Sequence, residues 1–72
     1  MNLKQLRESA GCATQEQAAE RTGVNQTTIS QLESGKVQSP RLDTLDKLAA
    51  GYRVDLPVVV AAVRVTVAEA VA

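Results

Sequence analysis

Five side chains between positions 26 and 31 carry hydrogen-bonding groups and no charge: Gln26, Thr27, Thr28, Ser30 and Gln31. Each Gln offers an amide donor beside a carbonyl acceptor, and Thr and Ser offer hydroxyls. Such chemistry is recognition, the matching of donors to acceptors on another surface, rather than proton transfer. The rest of the chain argues the same way. It has no His and a single Cys. The commonest general base is therefore missing, an internal disulfide is impossible, and a zinc site lacks ligands. Cys12 reads as a small buried apolar residue, with a reactive thiol as the alternative. No catalytic residue, metal or cofactor is expected, and the chain is not expected to be an enzyme.

The elements that position this polar run follow from the pattern around it. Residues 2–10 predict a helix with Asn2 as cap, Gln5 at the reciprocal position and Gly11 as stop. Leu3, Leu6 and Ala10 share its apolar face, and Lys4, Arg7 and Glu8 are expected to point elsewhere. Residues 14–22 predict a second helix, with Thr14 and Gln17 as a capping box and Gly23 as terminator. Residues 25–34 predict a third, capped by Asn25, with Ile29 and Leu32 as its narrow buried stripe. Glu33 is expected in a structural ion pair. A loop over 36–41 holds Pro40 and two basic residues. Residues 42–52 then place Leu42, Leu45, Leu48, Ala49 and Tyr52 on one helical stripe, with the three Leu expected in the core.

Size and composition bound the rest. Seventy-two residues make one small domain, which buries only about 60% of its unfolded surface. Tyr52 is the only aromatic residue, so the core is aliphatic and the rings on which single-stranded nucleic acids stack are absent. Eight basic side chains balance eight acidic ones. Within residues 1–54 the count is seven against six, a surplus of one, which predicts modest non-specific affinity for polyanions. The start of the chain does not read as a secretory signal. The longest apolar run, residues 56–63, is too short to span a membrane. The expected setting is a reducing cytoplasm.

Residues 15–32 follow the pattern Q-x-x-A-A-x-x-x-G-V-x-x-x-x-I-x-x-L. Ala19 is a small residue where two helices meet, Gly23 allows a left-handed turn, and Val24, Ile29 and Leu32 anchor the helix that follows. The stretch TQEQAAERTGVNQTTISQLESGKVQSPRLDTLDKLA resembles the phage lambda and 434 repressor/Cro, or Xre-type, helix-turn-helix family. The resemblance covers roughly residues 3–56, and the block GVNQTTISQLESGK followed by PRLDTL is its most specific part. It departs from the family in the Gly11-Cys12-Ala13-Thr14-Gln15 stretch, which has one extra residue and no Leu, and at Ala18, where the family prefers Leu.

The resemblance implies an all-α fold of five helices, with the second and third forming the reading unit, and dimers on near-palindromic double-stranded DNA. Carried over residue by residue, Gln26, Thr27, Gln31 and, less strongly, Ser30 become base-edge contacts. Gln matches adenine in the major groove, and the Thr27 methyl matches that of thymine. Thr14, Gln15, Asn25, Thr28, Lys36 and Arg41 become backbone contacts, helped by amides at the start of the second helix. The alternative for these side chains is a merely solvated face.

The reading divides the chain into a DNA-binding part, residues 1–56, and a Val-rich segment, residues 57–72. Six of residues 58–67 are Val, and residues 63–67 alternate as a strand does, yet the Ala content favours helix. A fifth helix from near Leu56 is expected, with a short dimerising strand as the alternative. Asp55 is a possible cap, and Pro57 is tolerated in a first turn. A segment apolar nearly all round must be covered. Val58, Val59, Val63, Val65 and Val67 are expected to form a homodimer interface, unless the segment only closes its own core. The leading expectation is a repressor of phage or mobile-element type, acting by occupancy without a ligand-binding domain. The alternatives are an antitoxin that binds a partner protein through this segment, and a helix-turn-helix scaffold used only for protein contact.

Overall fold

Local signals set the helix boundaries. Helix α1 (Leu3–Ser9) starts at Asn2, whose side chain accepts from the Gln5 amide at 2.8 Å, while Gln5 accepts from the Asn2 amide at 2.9 Å. The same reciprocal box, between Thr14 and Gln17, opens α2 (Gln15–Thr22). Helix α3 (Gln26–Glu33) starts at Asn25, which accepts from the Thr27 amide at 2.8 Å. Each cap satisfies an amide that no earlier turn reaches, a contribution of about 1 kcal/mol. Helix α4 (Leu42–Tyr52) ends at Arg53 in the left-handed region. Helix α5 (Leu56–Val71) tolerates Pro57 because first-turn amides have no intrahelical acceptor. These five helices, without strands among the described residues, come from a computed structural model that describes residues 1–71; Ala72 lies outside it.

Helix α2 packs against α3 and α4, and α5 lies against α1, α3 and α4. One aliphatic core results, with Leu6, Ile29, Leu32, Leu48 and Val59 all almost fully buried and Tyr52 among them. Cys12 lies in this core, 1% exposed.

The structure corrects several expectations. Residues 63–67 form helix and not a ribbon. Their alternation coincides with a helical row, in which Val59, Ala62, Val63 and Thr66 are buried at i, i+3, i+4 and i+7. Val59 and Val63 therefore pack into their own core, at 0% and 7% exposure. Leu42 is 64% exposed, because it is the first residue of α4 and its stripe runs past the core's edge. Arg7 is buried at 4% exposure, because its guanidinium folds inward onto the Glu33 carboxylate. No helix among the described residues is long and apolar enough to cross a membrane.

Candidate nucleic-acid interface

The turn between α2 and α3 is built by two adjacent residues. Gly23 takes φ 75° and its amide donates to the Ala19 carbonyl at 2.9 Å. The Thr22 hydroxyl donates to the Ala18 carbonyl at 2.7 Å and accepts from the Val24 amide at 3.1 Å. The exit of α2 and the entry to α3 are thus tied through one buried oxygen. Gly51 of α4 lies directly on this turn. A Cβ there would come within 2.7 Å of Thr22 Cα and 2.5 Å of its methyl carbon. Sequence reasoning missed this contact. The signal was a Gly within the apolar last turns of a helix, where close backbone approach is a common reason to omit a side chain.

A second brace holds the other ends of the two helices. The Glu33 carboxylate accepts from Arg7 Nε at 2.7 Å and from Gln15 Nε2 at 3.2 Å. The same guanidinium donates to the Cys12 and Ala13 carbonyls at 3.0 and 2.8 Å. Both charged side chains are nearly buried, at 5% and 8% exposure. Hydrogen bonding to Glu33 raises the Arg7 guanidinium further above its ordinary range, against the opposing effect of burial. The ion pair expected for Glu33 is present. Its partner escaped the sequence pattern because Arg7 is 26 residues away and reads locally as a surface cation. The brace also orders the stretch that departs from the family pattern, since Arg7 pins two of its carbonyls. Arg21 donates to the Ala10 carbonyl beside it.

Between these braces α3 turns Gln26, Thr27, Ser30 and Gln31 to solvent. None of the four makes a side-chain hydrogen bond among the described residues. Gln31 contributes only its backbone carbonyl, which accepts from Ser34 Oγ at 2.7 Å. The one charged residue of α3, Glu33, is withdrawn into the ion pair. The exposed face is consequently charge-free, with its donors and acceptors unspent.

The flanking residues divide. The Thr14 hydroxyl and the Asn25 carbonyl serve as caps, which leaves the Thr14 proton and the Asn25 amide protons available. Gln15 is half-buried and its amide is committed to Glu33. Thr28 is half-buried, while Lys36 is exposed. Arg41 is exposed and lies 3.5 Å from Asp43, an exposed pairing of small energy.

Two helices joined by a glycine turn, the second with a bare polar face, define a helix-turn-helix domain. A family model described as a helix-turn-helix domain matches residues 1–69, and the chain belongs to that family. The match is consistent with the lambda/434 repressor and Cro resemblance, and the class is one of DNA-binding regulators. No curated protein and no solved structure matched the chain.

Proposed function

We propose that this protein is a sequence-specific transcriptional regulator of double-stranded DNA, acting as a dimeric repressor of the phage or mobile-element type. The observation that carries this reading is the charge-free, unspent face of α3, held rigid at both ends. Gln26, Thr27, Gln31 and Ser30 read base edges in the major groove, where the paired donor and acceptor of a Gln amide match adenine. Lys36 and Arg41 meet phosphates, joined by Asn25, Thr14 and Thr28 through groups their local structure leaves free. Gln15 contributes less to the DNA and more to the brace.

Dimerisation falls to the outward side of α5. Val58 and Val65 there border an uncharged groove with Met1, Pro57 and Ala61, a surface that suits a two-fold copy of itself. Val67 lies on the other side of the helix. A two-fold dimer would present two α3 helices to half-sites about 10 base pairs apart.

The test is selection of the protein from a random double-stranded pool, repeated with Gln31→Ala. An inverted repeat is expected, and the variant is expected to relax one symmetric position by about 1–3 kcal/mol. Recovery of no preferred sequence would refute the reading. A second reading, in which the domain also binds a partner protein through α5 as an antitoxin does, draws on the adjoining side of that helix, with Pro57 and Ala61 on the border between the two.

A further inference from the structure

Arg64 stands alone on the side of α5 that faces the connection between α3 and α4. It is exposed and has no ion-pair partner among the described residues. Apolar grooves lie on either side of it. One, of about 410 Å³, is bordered by Gln38, Pro40, Leu45, Val60 and Val67. The other is bordered by Leu56, Pro57, Val60 and Ala61. Arg64 lines both and is the only charged residue in either. The remaining charge on α5, Glu69, is taken by Asn2 Nδ2 at 2.8 Å.

This arrangement selects its occupant by charge. A wholly apolar cover would strand a guanidinium without a partner, which costs more than the apolar contact returns. A two-fold copy centred here would bring Arg64 against Arg64. A carboxylate set among apolar side chains would meet the guanidinium in paired hydrogen bonds while its neighbours filled the two grooves. Leu56, Val60 and Val67 stand along the helix at spacings that a second helix matches. We infer that this side of α5 docks an amphipathic helix of another protein, one carrying an Asp or Glu at the centre of its apolar stripe. The inference rests on the second reading above only in placing a protein partner on α5, and it is independent of DNA recognition.

The test uses the full chain as bait for an mRNA-display library of helix-biased peptides about four turns long. Enriched peptides are expected to carry one acidic residue flanked by apolar residues three or four positions away. Their affinity should fall about tenfold or more on Arg64→Glu and less on Arg64→Ala, and peptides with Lys in place of the acid should prefer Arg64→Glu. Enrichment without an acidic preference, binding indifferent to both variants, or no enrichment would overturn the inference. So would a change in self-association with Arg64→Glu by sedimentation, which would make a second copy the occupant. Loss of DNA selection in the same variant would make a phosphate the occupant and would overturn the inference equally. Wild-type protein that captures acidic peptides but selects no DNA would refute the regulator and leave this inference standing.

Discussion

Arg7 in α1 and Glu33 at the end of α3 meet at 2.7 Å in a nearly solvent-free site. The pair joins α1 to α3, and through Gln15 it also fixes the start of α2. Removing one member leaves a buried charge unmatched. Arg7→Ala is expected to cost about 3–5 kcal/mol, whereas Arg7→Met combined with Glu33→Leu should recover most of that loss, because a packed apolar pair often replaces a buried ion pair without penalty. Urea denaturation of the single and double variants measures both. A double variant no more stable than Arg7→Ala would show that the hydrogen bonds to Cys12 and Ala13, and not the charge pairing, carry the energy.

Gly51 gives a substitution whose sign is reversed by its surroundings. Gly→Ala inside a helix ordinarily stabilises by up to about 1 kcal/mol. Here the new carbon would overlap Thr22 backbone, so Gly51→Ala is expected to destabilise by about 1–3 kcal/mol. Gly23→Ala serves as a contrast. Nothing lies within 4 Å of its added carbon, and its cost of about 1–2 kcal/mol comes from the left-handed backbone alone. The two should differ in DNA affinity per unit of stability lost, because only Gly51→Ala forces α4 away from the turn. Thermal denaturation paired with an operator-binding titration compares them.

Lys36 should affect affinity without affecting sequence choice. Lys36→Ala is expected to weaken binding uniformly across DNA sequences and to lower the salt slope by about 1. Its exposed position predicts a stability change within about 0.5 kcal/mol. Binding titrations over a salt series, on selected and scrambled DNA, separate this from the behaviour of Gln31.

Tyr52 predicts an alkaline limit to stability. Burial pushes its phenol up to about 12, with Glu33 and Cys12 acting in the same direction and Arg7 against them. A phenol whose folded pKa lies above its unfolded value, about 10, stabilises the fold fully below about pH 10, and that contribution disappears as the pH rises towards about 12. The stability difference between wild type and Tyr52→Phe, measured by urea denaturation, should be constant near neutrality and change across that window. A difference independent of pH would show that the phenol titrates normally.

The sequence was most informative where structure is local. The caps at Asn2, Thr14 and Asn25, the turn at Gly23 and the bare face of α3 each depend on residues within a few positions of one another. The losses arose where a distant contact decides. Arg7 looks like a surface cation until Glu33 folds back to it. Leu42 falls on the apolar period of its helix, but period says nothing of where a neighbouring helix ends. In residues 63–67 the strand and helix periods overlap, and only packing against α1, α3 and α4 separates them. Thr66 shows why the helix wins. Its hydroxyl accepts from the Leu3 amide at 2.9 Å and donates to the Ala62 carbonyl at 2.8 Å, a bridge that requires helical geometry.

The Thr66 bridge also bears on when the protein becomes active. The first amide of α1 finds its acceptor 63 residues further along the chain, and the α1 cap residue Asn2 reaches Glu69. During synthesis, α1 through α4 emerge from the ribosome while this end of the fold still lacks its counterpart. A nascent chain therefore remains open at α1 until nearly all of α5 has been made, and long-range closure comes last. Truncated translation products, which would retain the whole of α3, should be poor competitors for DNA because the core behind that helix lacks its α5 side.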